Sequence, residues 1–329
     1  MRRREFISLV GGAAAGWPLA ANAQQRERVR RIGVLSIFEQ NDPINSPRLA
    51  ALRESLAKLG WVEGHDVRFD IRYSGGDAQR LQTLAGDLVH SAPDLLVVGS
   101  RPATRTLQQQ TTTIPIVFVN VGDPVASGLV TNVARPEGNM TGFTNMFESV
   151  ASKWLELLKE AAPRTARVAL IFVPEVAADG ATFSTLETAA KVLSLTTMRT
   201  PYRTVMELEH AVDAFASEPN GSLVILPPPQ PKSYRVLLNQ LAFRHRLPTI
   251  YGDRHATVED GLMSYGADTI DTYRVAAGYI DRILRGTKVS ELPVQFPTKF
   301  DLVINLKTAR AIGLDIPATL LARADEVIE

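Results

Sequence analysis

The chain has 329 residues, 36 basic against 35 acidic side chains, a formal charge of +1 and 45% apolar residues. This composition excludes disorder, a coiled coil and a collagen-like repeat, and the length suits two compact domains better than one. Balanced charge argues against nucleic acid as a partner, because phosphate binding needs a concentrated basic face. With no cysteine, disulfides, thiolate metal sites, cysteine nucleophiles and a lipid-modified N-terminal cysteine are excluded as well.

Arg2, Arg3 and Arg4 form a cationic head, an apolar run follows from Phe6 to Ala21, and Ala21-Asn22-Ala23 supplies a small-x-small cleavage pattern. Residues 1–23 therefore read as a cleaved secretory signal. Arg3-Arg4-Glu5-Phe6-Ile7 has the twin-arginine form, which predicts export in the folded state to the periplasm of a two-membrane bacterium. The run is short and Gly/Ala-rich for a membrane span.

From about Arg30 short β-branched runs alternate with amphipathic stretches. Arg31 to Ile37 predicts a buried strand. Ser46 is expected to cap a helix with Pro47 at its first position and Leu49, Leu52, Leu56 and Leu59 on one face, until Gly60 stops it. Val67, Phe69, Ile71 and Tyr73 alternate as a half-buried strand does. Asp77 opens a helix carrying Leu81, Leu84, Leu88 and Val89. Leu95 to Val98 is a strand, Ser100 begins the next helix, and Ile116 to Val119 is a further strand. Such βαβ winding predicts a parallel sheet with helices on both faces.

The winding then begins again. A helix around Trp154, Leu155 and Leu158 leads to the strand Val168 to Val173, and a second helix carries Leu186, Ala189, Ala190 and Leu193. Thr204 and Glu207 form a capping box for a third helix, with Leu208, Val212 and Phe215 on one face. Leu223 to Leu226 is a strand, Tyr234 to Leu241 a helix, and a last helix turns Tyr273, Ala277, Ile280 and Leu284 inward before Gly286. Ile114-Pro115 precedes Gly128-Leu129-Val130 by the same thirteen-residue offset that separates Leu247-Pro248 from Gly261-Leu262-Met263. This echo favours two similar lobes over one large sheet. The chain is expected to pass between them near Gly142 to Asn145, near Tyr265-Gly266 and again within Val294 to Asn305. Lobe 1 is read as residues 28–142 plus about 267–292, and lobe 2 as 143–266 plus about 293–329.

Doubly wound sheets bind ligands outside the carboxyl ends of their strands. In Ser100-Arg101-Pro102-Ala103-Thr104 a capping serine, backbone N–H groups, two hydroxyls and one cation meet at a helix N-terminus, which suits a carboxylate; ordinary capping explains the same residues. Asp123 either meets a ligand amino group or caps a turn before Pro124. Phe38, Tyr251 and Tyr265 are candidate aromatic walls or core residues. In the second half, strand ends bring Pro174 to Asp179, Pro228 and Asp253 into consideration, with Glu175 and Asp253 as alternatives to Asp123. Dinucleotide, P-loop and nucleophile-elbow signatures are missing, and the five histidines show no ligand spacing.

With these segments placed, the sequence resembles the ABC-transporter substrate-binding family that includes tryptophan- and tyrosine-binding receptors. The resembling stretches are Ile114-Pro115-Ile116-Val117-Phe118 with Asp123-Pro124-Val125, and Arg135-Pro136-Glu137-Gly138-Asn139-Met140-Thr141-Gly142. Lys153 to Lys159, Gly261-Leu262-Met263-Ser264-Tyr265-Gly266 and Pro297 to Asn305 complete them. Glu137 stands where glycine is common in the family, and Arg101 where a smaller residue is usual. The resemblance implies a type I periplasmic-binding fold: two Rossmann-like lobes joined by a multi-strand hinge. It also implies an ABC permease with its ATPase in the inner membrane as partners, and a ligand carboxylate at a first-lobe helix N-terminus, which matches Ser100 to Thr104. The expectation is a monomeric, cofactor-free receptor of an importer that closes on a small carboxylate-bearing solute, an amino acid with an aromatic one as the narrower expectation, without making or breaking a bond. A periplasmic sensor on the same fold is the alternative, and an enzyme the lesser one.

Overall fold

The computed structural model describes residues 29–145, 147–174, 180–226 and 232–329; the expected signal segment, Glu175, Asp179 and Pro228 lie outside the described residues. The chain divides into two compact units. Of the described residues, those up to 119, 129–142 and 273–293 form the first; 120–128, 143–272 and 294–329 form the second.

The first sheet is built from β1 (Arg30–Ser36), β2 (Val67–Tyr73), β3 (Leu95–Val98), β4 (Ile116–Val121) and β5 (Met140–Thr144), in the order β2-β1-β3-β4-β5. Helices α1 (Asn45–Lys58), α2 (Ala78–His90) and α3 (Arg101–Gln110) connect them. Strand β1 pairs in parallel with β2 and β3, and its Ile32, Val34 and Leu35 are at most 4% exposed, as expected of a strand covered on both faces. A Cβ at Gly33 would sit 2.8 Å from a Leu96 methyl and 3.0 Å from Leu88 of α2. Glycine there lets that helix lie close on the sheet.

The second sheet contains β6 (Arg167–Phe172), β7 (Thr196–Pro201), β8 (Gly221–Ile225), β9 (Thr249–Tyr251), β10 (Met263–Ala267), β11 (Phe300–Asn305) and β12 (Glu326–Ile328). Their order is β12-β11-β10-β9-β8-β6-β7, and only the β10–β11 pair among them is antiparallel. Its connections include α4 (Phe147–Ala161), α5 (Gly180–Val192), α6 (Val205–Ala216), α7 (Lys232–Arg244) and α8 (Arg254–Val258). Then come α9 (Thr269–Leu284), α10 (Leu306–Ala311) and α11 (Ala318–Leu321). Alternation along β6 builds two cores, one per face. Val168 and Leu170 join Trp154, Leu158, Leu186 and Ile250, while Ala169 and Ile171 join Leu208, Val212, Phe215 and Leu241. Each fully buried leucine of this kind contributes about 1.5–3 kcal/mol relative to exposure.

The two prolines of the internal echo take equivalent parts. Pro115 O accepts from Leu96 N and Pro248 O from Leu223 N, each at 2.8 Å, so each leads its strand into the ladder beside its neighbour. Among the helix starts, Asp77 and Thr204 cap as expected: Asp77 accepts from Arg80 N at 2.8 Å and Thr204 Oγ1 from Glu207 N at 3.2 Å. Glu207 Oε2 reaches back to Arg203 N, one residue beyond a standard capping box.

Three local expectations are corrected. Helix α1 begins at Asn45, because Asp42 Oδ1 accepts from Ile44 N at 2.8 Å and Asn45 N at 3.0 Å, so Ser46 lies inside the first turn. Leu59 is 40% exposed, because it has already left the helix at the turn into Gly60. Strand β7 was not expected: its TTMRTP sequence lacks apolar alternation, and as an edge strand it has only one residue buried. Among the described residues no helix is long and apolar enough to cross a membrane.

Candidate functional site

The polar residues collect at the carboxyl ends of the strands. In the first unit, Ser100 follows β3 in extended conformation and its Oγ accepts from Ala103 N at 3.4 Å. The carbonyl of Ser100 accepts both Thr104 N at 3.0 Å and Thr104 Oγ1 at 2.7 Å. Thr104 and Ala103 are fully buried. Pro102 has no N–H, so the donors left at this helix start are Arg101 N, the half-buried Arg101 side chain and the Ser100 O–H, whose oxygen already accepts from Ala103 N. The α3 terminus thus keeps one backbone donor for an anion, and the Thr104 hydroxyl is committed to the helix.

Below the end of β1, Asn45 donates to Ser36 Oγ at 3.2 Å, and Arg48, only 4% exposed, places its guanidinium carbon 5.8 Å from the centre of the Phe38 ring. Tyr273 packs its hydroxyl against Gly99, where a side chain of any size would collide with it. Burial pushes the Tyr273 pKa up, and the nearby Arg48 charge partly opposes this. Phe38 and Tyr273 line a void of about 10 Å³, the size of one water. Beside it, at the ends of β1 and β2, lies an open groove of about 580 Å³ whose lining carries both signs of charge, Glu39 and Asp77 against Arg72 and Arg80.

In the second unit, Asp123 is exposed, and its Oδ1 accepts from Val125 N at 2.9 Å and Ala126 N at 3.0 Å, the turn-capping role. Pro174 follows β6 and is half-buried. Tyr251 is 2% exposed and donates its hydroxyl to Asn239 Oδ1 at 2.5 Å, so it serves this unit's core; burial raises its pKa. Asp253 caps α8 through His255 N at 3.0 Å and faces His255 Nδ1 at 3.1 Å. Burial pushes the Asp253 pKa up, but the bonds from His255 outweigh it and hold the carboxyl below its usual value. Tyr265 stacks on Phe300 with ring centres 5.9 Å apart, and its carbonyl accepts from Trp154 Nε1 at 2.6 Å.

The residue that stands out most lies in the stretch Asn120 to Asp123 that follows the strand expected over Ile116 to Val119, of which the sequence favoured Asp123. Asn120, near the end of β4, has φ +58, and neither its Oδ1 nor its Nδ2 has a partner although both are buried. Its carbonyl accepts Asn145 Nδ2 at 2.9 Å, while Asn145 N donates to Val121 O at 3.2 Å. Asn145 Oδ1 and Thr144 Oγ1 are likewise buried without partners. The available signal was an asparagine inside a β-branched run, since asparagine tolerates the left-handed region better than Val or Ile does.

Two doubly wound α/β units with polar residues gathered at strand ends define the type I periplasmic-binding-protein class, a solute-binding fold. The chain belongs to the ABC transporter substrate binding protein family, whose model matches residues 32–328. A tyrosine-binding protein of Clostridioides difficile is 22% identical over 294 residues, covering 88% of this chain and 82% of its own. Among solved structures, a conserved domain protein from Vibrio cholerae O1 biovar El Tor is 26% identical with a TM-score of 0.81, over 91% of this chain and 100% of its own. The ABC domain from Streptococcus pneumonia in complex with L-Trp is 24% identical with a TM-score of 0.80, over 92% and 100%. Proteins of this family are non-enzymatic solute receptors, extracellular or periplasmic, that work with an ABC permease and ATPase, and this chain is one of them.

Proposed function

We propose that this chain is the periplasmic receptor of an ABC importer and that its solute is an aromatic amino acid, held at the carboxyl ends of the strands. The observation that carries this reading is the family match from 32 to 328, with a tyrosine-binding relative and an L-Trp-bound structural neighbour covering most of the chain. Arg101 N and the Arg101 guanidinium at the start of α3 supply the carboxylate end, and Phe38 supplies an apolar wall on the same unit. The twin-arginine pattern of Arg3 and Arg4 delivers the folded receptor to the periplasm as a monomer.

A thermal-shift screen of the protein against the amino acids and their decarboxylated amines tests this. A ligand that binds only the native state raises the melting temperature by mass action. Stabilisation by L-tryptophan or L-tyrosine, absent with tryptamine and tyramine and weakened at least tenfold in affinity by Arg101→Gln, is the expected result. Stabilisation by the amines as well as the acids would remove the carboxylate from the account.

A further inference from the structure

We infer that Asn120, Thr144 and Asn145 form the seat of the solute's ammonium group; this rests on the amino-acid receptor reading above. Nine side-chain polar atoms of the described residues are buried without a partner, and four of them are on these three residues. Buried polar atoms are nearly always bonded, so a local concentration of exceptions marks a place built for something the chain does not itself supply.

The chemistry selects the group. Asn145 Nδ2 is held by Asn120 O, which turns Asn145 Oδ1 away as a free acceptor. A Cβ at Gly122 would lie 3.7 Å from that oxygen, in ordinary contact with it. Asn120 Oδ1 and Thr144 Oγ1 add two more acceptors, and Asn120 Nδ2 remains as a donor. A primary ammonium has three N–H bonds to donate and needs oxygen acceptors, and these three residues supply neutral ones. Asp123, exposed three residues beyond Asn120, adds a negative field while one of its oxygens caps its own turn.

The test compares each amino acid with its counterpart lacking the amino group: L-tryptophan against indole-3-propionate, and L-tyrosine against 3-(4-hydroxyphenyl)propionate, by calorimetric titration of the full chain. The variants are Asn120→Gly, which keeps the backbone freedom and removes the amide, and Asn120→Asp, which keeps the shape and adds a charge that attracts an ammonium. The wild type is expected to prefer at least one amino acid over its des-amino counterpart at least tenfold. Asn120→Gly is expected to bring that preference within threefold with little change for the des-amino acid, and Asn120→Asp to restore or exceed it. A folded Asn120→Gly that keeps the tenfold preference overturns this inference and leaves the receptor reading standing. A wild type that binds none of the four probes overturns both. Equal affinity of the wild type for each pair overturns the ammonium seat alone.

Discussion

The start of α3 separates two roles that a sequence cannot, and Thr104→Val isolates them. Thr104 is fully buried, and its hydroxyl donates to Ser100 O at 2.7 Å. The same carbonyl also accepts Thr104 N at 3.0 Å, so the substitution leaves no carbonyl orphaned. Valine fills nearly the same volume, so no cavity term arises. The loss is then that of one neutral hydrogen bond, about 1 kcal/mol. For units of this size that corresponds to roughly 2–4 °C in melting temperature. Ser100→Ala removes a long cap of 3.4 Å and is expected to cost about 0.5 kcal/mol, the low end for N-caps. Scanning calorimetry with and without the solute found in the thermal-shift screen measures both quantities. Thr104→Val is expected to leave the solute affinity within twofold of wild type. A tenfold or greater loss of affinity, with the melting temperature barely changed, would show that the Thr104 hydroxyl faces the solute and would refute the reading of α3 given above.

Other positions give independent tests. Asp268 caps α9 through Ile270 N and Asp271 N and pairs with Lys299 Nζ at 2.8 Å. Burial pushes its pKa up, yet these bonds win and lower it. The stabilisation is therefore complete above the usual carboxylate range and is lost as pH falls through the lowered value. Because asparagine caps as well as aspartate, urea unfolding should show Asp268→Asn less stable at pH 7 by about 0.5 kcal/mol, the worth of a half-exposed ion pair, with the gap to wild type narrowing below about pH 4; a gap that is constant down to pH 2 would count against it. Tyr251→Phe leaves Asn239 Oδ1 buried without its 2.5 Å donor and should cost about 1–3 kcal/mol without altering solute affinity. Gly142→Ala places a Cβ against Phe118 O and should yield little soluble protein, judged by expression and circular dichroism.

Much of the fold was legible because it rests on periodicity. The run Ile32 to Leu35 and the run Leu95 to Val98 read as buried strands and are so, and the heptad-like leucines of α1 and α2 largely fall on the buried side. The start of α1 was misplaced because two residues compete to begin it, and the Asp42 carboxylate does so before Ser46. Strand β7 was invisible because an exposed edge needs no apolar face. The candidate site was less legible. Ser100, Asp123 and Asp253 were singled out because residues that cap also bind ligands, and the structure shows each capping a turn or helix. Asn120 was not favoured although an asparagine inside a β-branched run was its signal, and the lack of partners on Asn120 and Asn145 shows only in the structure.

The central claim is that the chain is a receptor for an aromatic amino acid. Isothermal titration of the purified full chain with L-tryptophan and L-tyrosine, after unfolding and refolding to remove any carried solute, tests it most directly. The account predicts saturable one-to-one binding of at least one of them at micromolar concentration or tighter. Refolded protein with native circular dichroism that binds neither would contradict it.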